Sequence, residues 1–298
     1  MPDTAETTSP RSQKPVIAAF WVLGMVGSFV LMMIAVRELA ATMSLFELLS
    51  FRSIIGIPIM FLVAWYIGFH SIKTRRAGTQ IARNLVHFVG SWCWAIGITL
   101  LPMAHVTALE YTMPIWTVVI AMVFLGEKAY FHRVLAVLMG LLGVVLILRP
   151  GLEIVTQGAL VVLVGALFYG ISNVLVKSLT KDDAPWVIVF WMQILQLPLA
   201  LMPAIFFFDW VWPTWPDAPW LAVIGLTGIS AHFCLARALQ LADATVCIPV
   251  DFIRLPLTAL LGWMVYTESV SMWVFFGAFL IFAGNYYSVW RETRGGNG

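Results

Sequence analysis

Five ionisable side chains lie inside long apolar runs: Glu47, Arg52, Glu110, Asp251 and Arg254. At the centre of a hydrocarbon layer an ionised side chain costs roughly 2.5–3.5 kcal/mol on insertion scales. Each therefore needs a partner, a water-filled cavity or a proton. Asp251 and Arg254 stand three positions apart, the spacing at which side chains meet on one helical face. Either the pair neutralises itself so that its helix can insert, or it lines a cavity where Arg254 holds a carboxylate and Asp251 an amine. Glu110 has no basic residue three or four positions away. Its options are Arg52 from another run, water, or protonation. A desolvated carboxyl can carry a proton near neutral pH, so Glu110 and Asp251 are the candidates for proton coupling.

Polar neutral residues accompany these charges. At helical spacing His87, Ser91 and Trp94 share a face, as do Tyr169 and Asn173, and as do Glu110, Met113, Thr117 and Ala121. The candidate substrate-binding set is thus Glu110, Asp251, Arg254, Arg52, Trp94, Asn173, Tyr169 and His87. A lone histidine in an apolar run is equally suited to a structural hydrogen bond, and Glu47, near the end of its run, suits the membrane interface. Aromatic walls would hold an amine through cation–π contact. Bond-making chemistry finds no footing. The histidines show no HExxH spacing, and the three cysteines, Cys93, Cys234 and Cys247, stand singly in apolar stretches. No nucleotide-binding loop or cofactor motif occurs, so the expectation is no catalytic residue, no metal, no cofactor and no enzymatic activity.

The elements that must position these groups follow from composition. The chain has 298 residues, 61% hydrophobic and only 11% charged, against about a quarter charged in an ordinary soluble domain. Runs of roughly 20 apolar residues, long enough to cross a bilayer as helices, occur at about 16–36, 45–67, 81–101, 105–125, 133–149, 157–177, 185–207, 218–240, 246–266 and 271–290. The pattern predicts an all-α integral membrane protein of ten transmembrane helices. Polar tails, 1–15 and 291–298, flank them. With the first tail in the cytoplasm, 13 of the 17 basic residues fall on inner segments, Arg37 and Arg149 lie outside, and Arg52 and Arg254 fall within spans. The positive-inside rule then places both termini in the cytoplasm. The net charge of +2 gives no reason to expect a nucleic-acid partner. The expected partners are the lipid bilayer and a small-molecule substrate, and a homodimer is left open. Pro58, Pro114, Pro198 and Pro256 lie inside spans, where each removes a backbone donor and can kink its helix. Pro114 and Pro256 are the candidate hinges of a gate. The outer connection 208–220, rich in Trp and Pro, suits interfacial anchoring.

The two halves repeat. A shift of 141 positions lays Glu110 on Asp251, Tyr111 on Phe252, Thr117 on Thr258, Glu127 on Glu268 and Gly143 on Gly284. Residues 16–149 and 150–290 therefore form two five-helix repeats. Five is odd, so the second enters the membrane inverted. Inverted repeats are the structural basis of alternating access, because exchanging their conformations turns an outward-open state into an inward-open one.

On the segment ALEYTMPIWTVVIAMVFLGEK, the glycine-rich span GLLGVVLILRPG after it, and the weaker second copy, the chain resembles the ten-helix, EamA-type branch of the drug/metabolite transporter superfamily. That resemblance covers residues 16–290. It implies a bacterial inner-membrane secondary transporter, exporting or exchanging a small amphipathic metabolite. An amino acid or derivative is the first expectation, with S-adenosylmethionine or an organic cation as alternatives. The motif YTMPIW lacks the asparagine expected of the aromatic amino-acid exporters of that branch. A channel and a membrane-embedded enzyme are the competing classes. The repeat argues against the first and the absence of catalytic spacing against the second.

Overall fold

The computed structural model describes residues 15–124, 130–148, 156–179, 182–241, 247 and 250–295. They form helices α1 (Pro15–Leu39), α2 (Leu45–Ile67), α3 (Ala77–Leu100), α4 (Met103–Glu110), α5 (Met113–Phe124), α6 (Phe131–Leu148), α7 (Gln157–Leu179), α8 (Pro185–Phe207), α9 (Ala218–Leu241), α10 (Arg254–Tyr266) and α11 (Met272–Gly295), with a short 3-10 turn at Phe69–Ile72. Among the described residues six helices are long and apolar enough to cross a bilayer: α1, α2, α7, α8, α9 and α11. The shorter apolar helix α6 joins them. At 24 residues α3 is also long enough, but Gln80, Arg83, Asn84, His87 and Ser91 lower its hydropathy, and all five are buried against neighbouring helices. Large apolar side chains such as Phe20, Trp65, Phe131, Phe206 and Phe276 point outward. In a soluble protein such a surface would aggregate; a bilayer accommodates it.

The order of packing has two-fold character. α1 runs along α9 and α7 along α3, while α2 packs on α8, α6 on α11 and α4 on α10. Exchanging the repeats carries the first pair onto the second and returns α2 on α8 and α6 on α11 each to itself. The glycine contacts obey the same operation. A Cβ added at Gly143 would lie 2.5 Å from the Gly277 carbonyl oxygen, and one at Gly284 would lie 3.2 Å from the Ala136 oxygen. Shifting 143 and 136 by 141 gives 284 and 277, so these two contacts are images of each other. Small residues here let the α6 and α11 backbones touch, the close approach that drives helix association in lipid.

The fourth and ninth spans are not continuous helices. The fourth breaks at Tyr111–Thr112, between α4 and α5. The ninth has Val250 and Asp251 helical, Phe252 and Ile253 in a turn, and α10 starting at Arg254. The prolines explain both. Pro114 and Pro256 fall in the first turns of α5 and α10, where a missing N–H costs nothing. They were expected as kinks inside continuous spans; they instead mark where a second helix begins. The break also ends the face expected to join Glu110 to Met113, Thr117 and Ala121. Side chains meet the carbonyls freed at the breaks: Asn285 Nδ2 donates to Tyr111 O at 3.1 Å, and the Tyr111 hydroxyl donates to Asp251 O at 2.9 Å. Non-helical backbone survives at membrane depth only when satisfied this way.

Candidate functional site

The two broken spans meet at Arg254. Its Nη1 donates to both oxygens of Glu110, at 3.3 and 3.2 Å. Its Nη2 donates to Asp251 Oδ2 at 3.4 Å. Nε faces Asp251 Oδ1 at 3.3 Å, an ionic contact without hydrogen-bonding alignment, since both atoms lack a hydrogen-bond partner. The guanidinium also lies over the rings of Phe29 and Tyr111, 5.1 and 5.2 Å from their centroids. Trp94 Nε1 donates to Glu110 Oε2 at 3.3 Å. Tyr111 stacks on Phe252, which in turn meets Phe282 at 4.5 Å. Two carboxyl groups thus share one guanidinium inside an aromatic enclosure. Glu110 is buried and held by both Arg254 and Trp94, while the Asp251 side chain remains 24% exposed.

Arg52 was one of the partners open to Glu110. The two do not meet, because α4 packs on α10 while α2 packs on α8 and α9. Arg52 instead donates through Nη2 to Gln196 Oε1. Gln196 Nε2 bonds His87 Nδ1 at 2.8 Å, Ser91 Oγ lies 3.2 Å from the same nitrogen, and the Tyr169 hydroxyl donates to Ser91 at 3.3 Å. His87 sits 5.5 Å from the ring of His232, which meets Phe29 at 6.2 Å. Phe29 therefore separates this second polar group from Arg254. The expected α3 face of His87, Ser91 and Trp94 is present and connects the two groups. Asn173 stands apart: it is exposed, and its Nδ2 lies 3.3 Å from Met113 Sδ. Sequence reasoning missed Gln193 and Gln196 on α8, His232 on α9, and Arg83, which it had placed among the inner basic residues. The signal for the glutamines was their spacing of three on an otherwise apolar run.

Glu47, expected near the membrane interface, lies in the first turn of α2 and is fully buried by the protein. It completes a capping box with Ser44 at the start of α2, and its Oε1 accepts the Val211 N–H at 2.5 Å. At the end of the bundle where α1 finishes, a second network joins the repeats. Arg37 pairs with Glu268 and donates to the carbonyls of Ile98 and Leu101. Glu268 Oε2 also accepts the Met103 N–H at 2.9 Å, and the Tyr266 hydroxyl donates to Glu38 at 2.7 Å. At the other end Asp183 accepts from Thr74 and Gln80, at 2.7 and 2.8 Å. An apolar cleft of about 450 Å³, lined by residues including Phe252, Pro256 and Phe279, opens on the outer surface beside the ninth-span break. It contains none of the charged groups and is not the polar site.

A helical bundle of two repeats, with broken helices and a charged group between them, has the build of a membrane carrier. The sequence profile of the EamA-like transporter family matches residues 16–149 and 156–290, and the chain belongs to that family. It is 22% identical over 258 residues to an S-adenosylmethionine uptake transporter of Rickettsia bellii, covering 87% of this chain and 88% of that one. It is 30% identical over 200 residues to a riboflavin transporter of Vibrio cholerae, covering 66% of each. A pseudopaline exporter of Pseudomonas aeruginosa is 24% identical, covering 85% of this chain and 89% of that one. A solved crystal structure matches 91% of the chain with a TM-score of 0.63 at 17% identity, a likeness of fold.

Proposed function

We propose that this membrane transporter moves a small amphipathic metabolite carrying a positive centre, an amino acid derivative with S-adenosylmethionine as the first candidate, by alternating access. The observation that carries the reading is the group at Arg254: Glu110 and Asp251 converge on one guanidinium, two acids to one cation, among Trp94, Tyr111 and Phe29. An amine or sulfonium entering there gains a charge-assisted contact and aromatic faces together. Proteins similar to this chain are named for S-adenosylmethionine uptake, riboflavin transport and pseudopaline export. Both termini lie in the cytoplasm and the Arg37–Glu268 network faces outward, as the distribution of basic residues requires. Of the two acids, Asp251, with a more exposed side chain and an unbonded oxygen, is the better placed to exchange a proton.

The test is counterflow in liposomes carrying the purified protein. Radiolabelled S-adenosylmethionine, amino acids and organic cations are offered outside against unlabelled pools inside. Saturable exchange of a cationic metabolite supports the reading. Exchange confined to neutral or purely anionic compounds contradicts it.

A further inference from the structure

Arg52 and Arg83 are buried, at 5% and 4% exposure, and among the described residues no carboxylate lies within ion-pair distance of either. Their acceptors are neutral. Arg52 Nη2 meets Gln196 Oε1, and Arg83 Nη1 meets Asn84 Oδ1 at 3.0 Å. The Nε of each has no hydrogen-bond partner. The two cations converge on His87: Gln196 links Arg52 to its ring, and Arg83 lies four positions before it on α3. The acid of this region, Asp183, is already engaged by Thr74 and Gln80. Two buried cations in a membrane bundle, with no counter-charge among the described residues, stand in contrast to Arg254, which has two. Buried charges are otherwise paired, because an uncompensated one is strongly disfavoured.

We infer that Arg52 and Arg83 form an oxyanion subsite that receives the carboxylate of the transported molecule. The inference rests on the carrier reading and narrows its substrate. A guanidinium is a planar fork matched to a carboxylate or phosphate, and Gln196, His87 and Asn84 hold the two forks' surroundings in place. The stripe of α3 from Arg83 through His87 and Ser91 to Trp94 runs from this subsite to the acidic group at Glu110. His87 and Trp94 are about 10 Å apart along the helix at 1.5 Å per residue. A simple α-amino acid, whose charges sit on adjacent atoms, is too short to serve both poles. The substrate that fits is an extended zwitterion with its cationic centre several bonds from its carboxylate.

The experiment uses the full-length protein in nanodiscs and follows thermal unfolding while inorganic phosphate or acetate replaces chloride at constant ionic strength. The expected result is stabilisation of the wild type by both oxyanions, at least tenfold weaker in half-maximal concentration in Arg52→Gln and Arg83→Gln but intact in Glu110→Gln. Arg52→Lys and Arg83→Lys, which keep the charge, are expected to retain an intermediate response and serve where a glutamine variant does not fold. Absence of any oxyanion response in the wild type, or an equal response in the arginine variants, overturns the subsite. Discs of phosphatidylcholine and of phosphatidylglycerol are compared. A response abolished by phosphatidylglycerol assigns the site to a lipid headgroup and overturns the substrate role. In the liposome assay S-adenosylmethionine is set against its decarboxylated form. Loss of preference for the carboxylate-bearing probe in Arg83→Gln supports the inference, and an unchanged preference overturns it. An oxyanion response in a protein that exchanges no cationic metabolite leaves the subsite standing and removes the carrier reading alone.

Discussion

Tyr111 stacks on Phe252, its counterpart in the other repeat, with ring centroids 5.5 Å apart and planes inclined by 22°. Its hydroxyl donates to Asp251 O at 2.9 Å. The two breaks are thus in direct contact, each at the first residue of its turn. Neither half of the fourth span can reorient without disturbing the ninth. Such coupling is what alternating access by two inverted repeats requires.

Tyr111→Ala removes the stack and the hydrogen bond together. It is expected to slow exchange about tenfold, equivalent to about 1.4 kcal/mol, with a smaller change in apparent affinity. Tyr111→Phe keeps the stack and is expected to keep most of the rate. Initial rates of counterflow over a range of substrate concentrations check both, and equal rates in the two variants would show that the stack does not link the breaks.

Arg254 is the shared counter-charge of two acids, so Arg254→Gln leaves the buried Glu110 and the partly exposed Asp251 without one. Breaking a buried pair from one side costs roughly 3–5 kcal/mol, and thermal unfolding should fall accordingly. The double variant Arg254→Gln with Glu110→Gln is expected to recover much of that stability while remaining inactive. A double-mutant cycle in detergent measures the coupling. Additive losses would mean that Glu110 and Arg254 do not interact.

The α6–α11 contact leaves no room for a side chain at Gly143 or Gly277. Gly143→Ala must separate the two backbones, and overpacking of this kind costs roughly 1–3 kcal/mol. A Cβ at Gly27 meets nothing within 4 Å, so Gly27→Ala is the matched control and should leave unfolding nearly unchanged. Comparable losses in both would remove the argument from close approach.

The network of Arg37 and Glu268 ties the first repeat to the second at one end of the bundle. Glu268→Gln is expected to weaken that closure and raise the labelling rate of a cysteine placed at Leu101 by a membrane-impermeant thiol reagent. The native Cys93, Cys234 and Cys247 are buried and contribute little background. Labelling from outside the cell fits cytoplasmic termini; labelling only of inverted vesicles reverses the orientation.

Much of this architecture is legible in residue types alone. Long apolar runs define the helices, and the shift that lays Glu110 on Asp251 also maps the Gly143 contact onto that of Gly284. Helical spacing put Asp251 and Arg254 together, and they do meet, but across the turn at Phe252 and Ile253 and not along one helix. What spacing could not give is which spans face one another. Charge alone offered Arg52 as one possible partner of Glu110, but the packing of α2 on α8 delivers Gln196 to it instead. The breaks at Tyr111 and Phe252 were signalled only by Pro114 and Pro256, and proline marks a kink or a new start equally well. Arg83 read as a loop-side cation because it sits near the end of α3; its burial depends on neighbours far away in the chain. Glu127, the partner of Glu268 in the repeat, lies outside the described residues.

The most direct test of the carrier account is counterflow of S-adenosylmethionine by wild type and Glu110→Gln, in liposomes where both proteins unfold at similar temperatures. The account predicts saturable uptake in the wild type that depends on unlabelled substrate inside, and loss of at least tenfold in the variant. Undiminished exchange in Glu110→Gln, or flux that neither saturates nor responds to the internal pool, would contradict it.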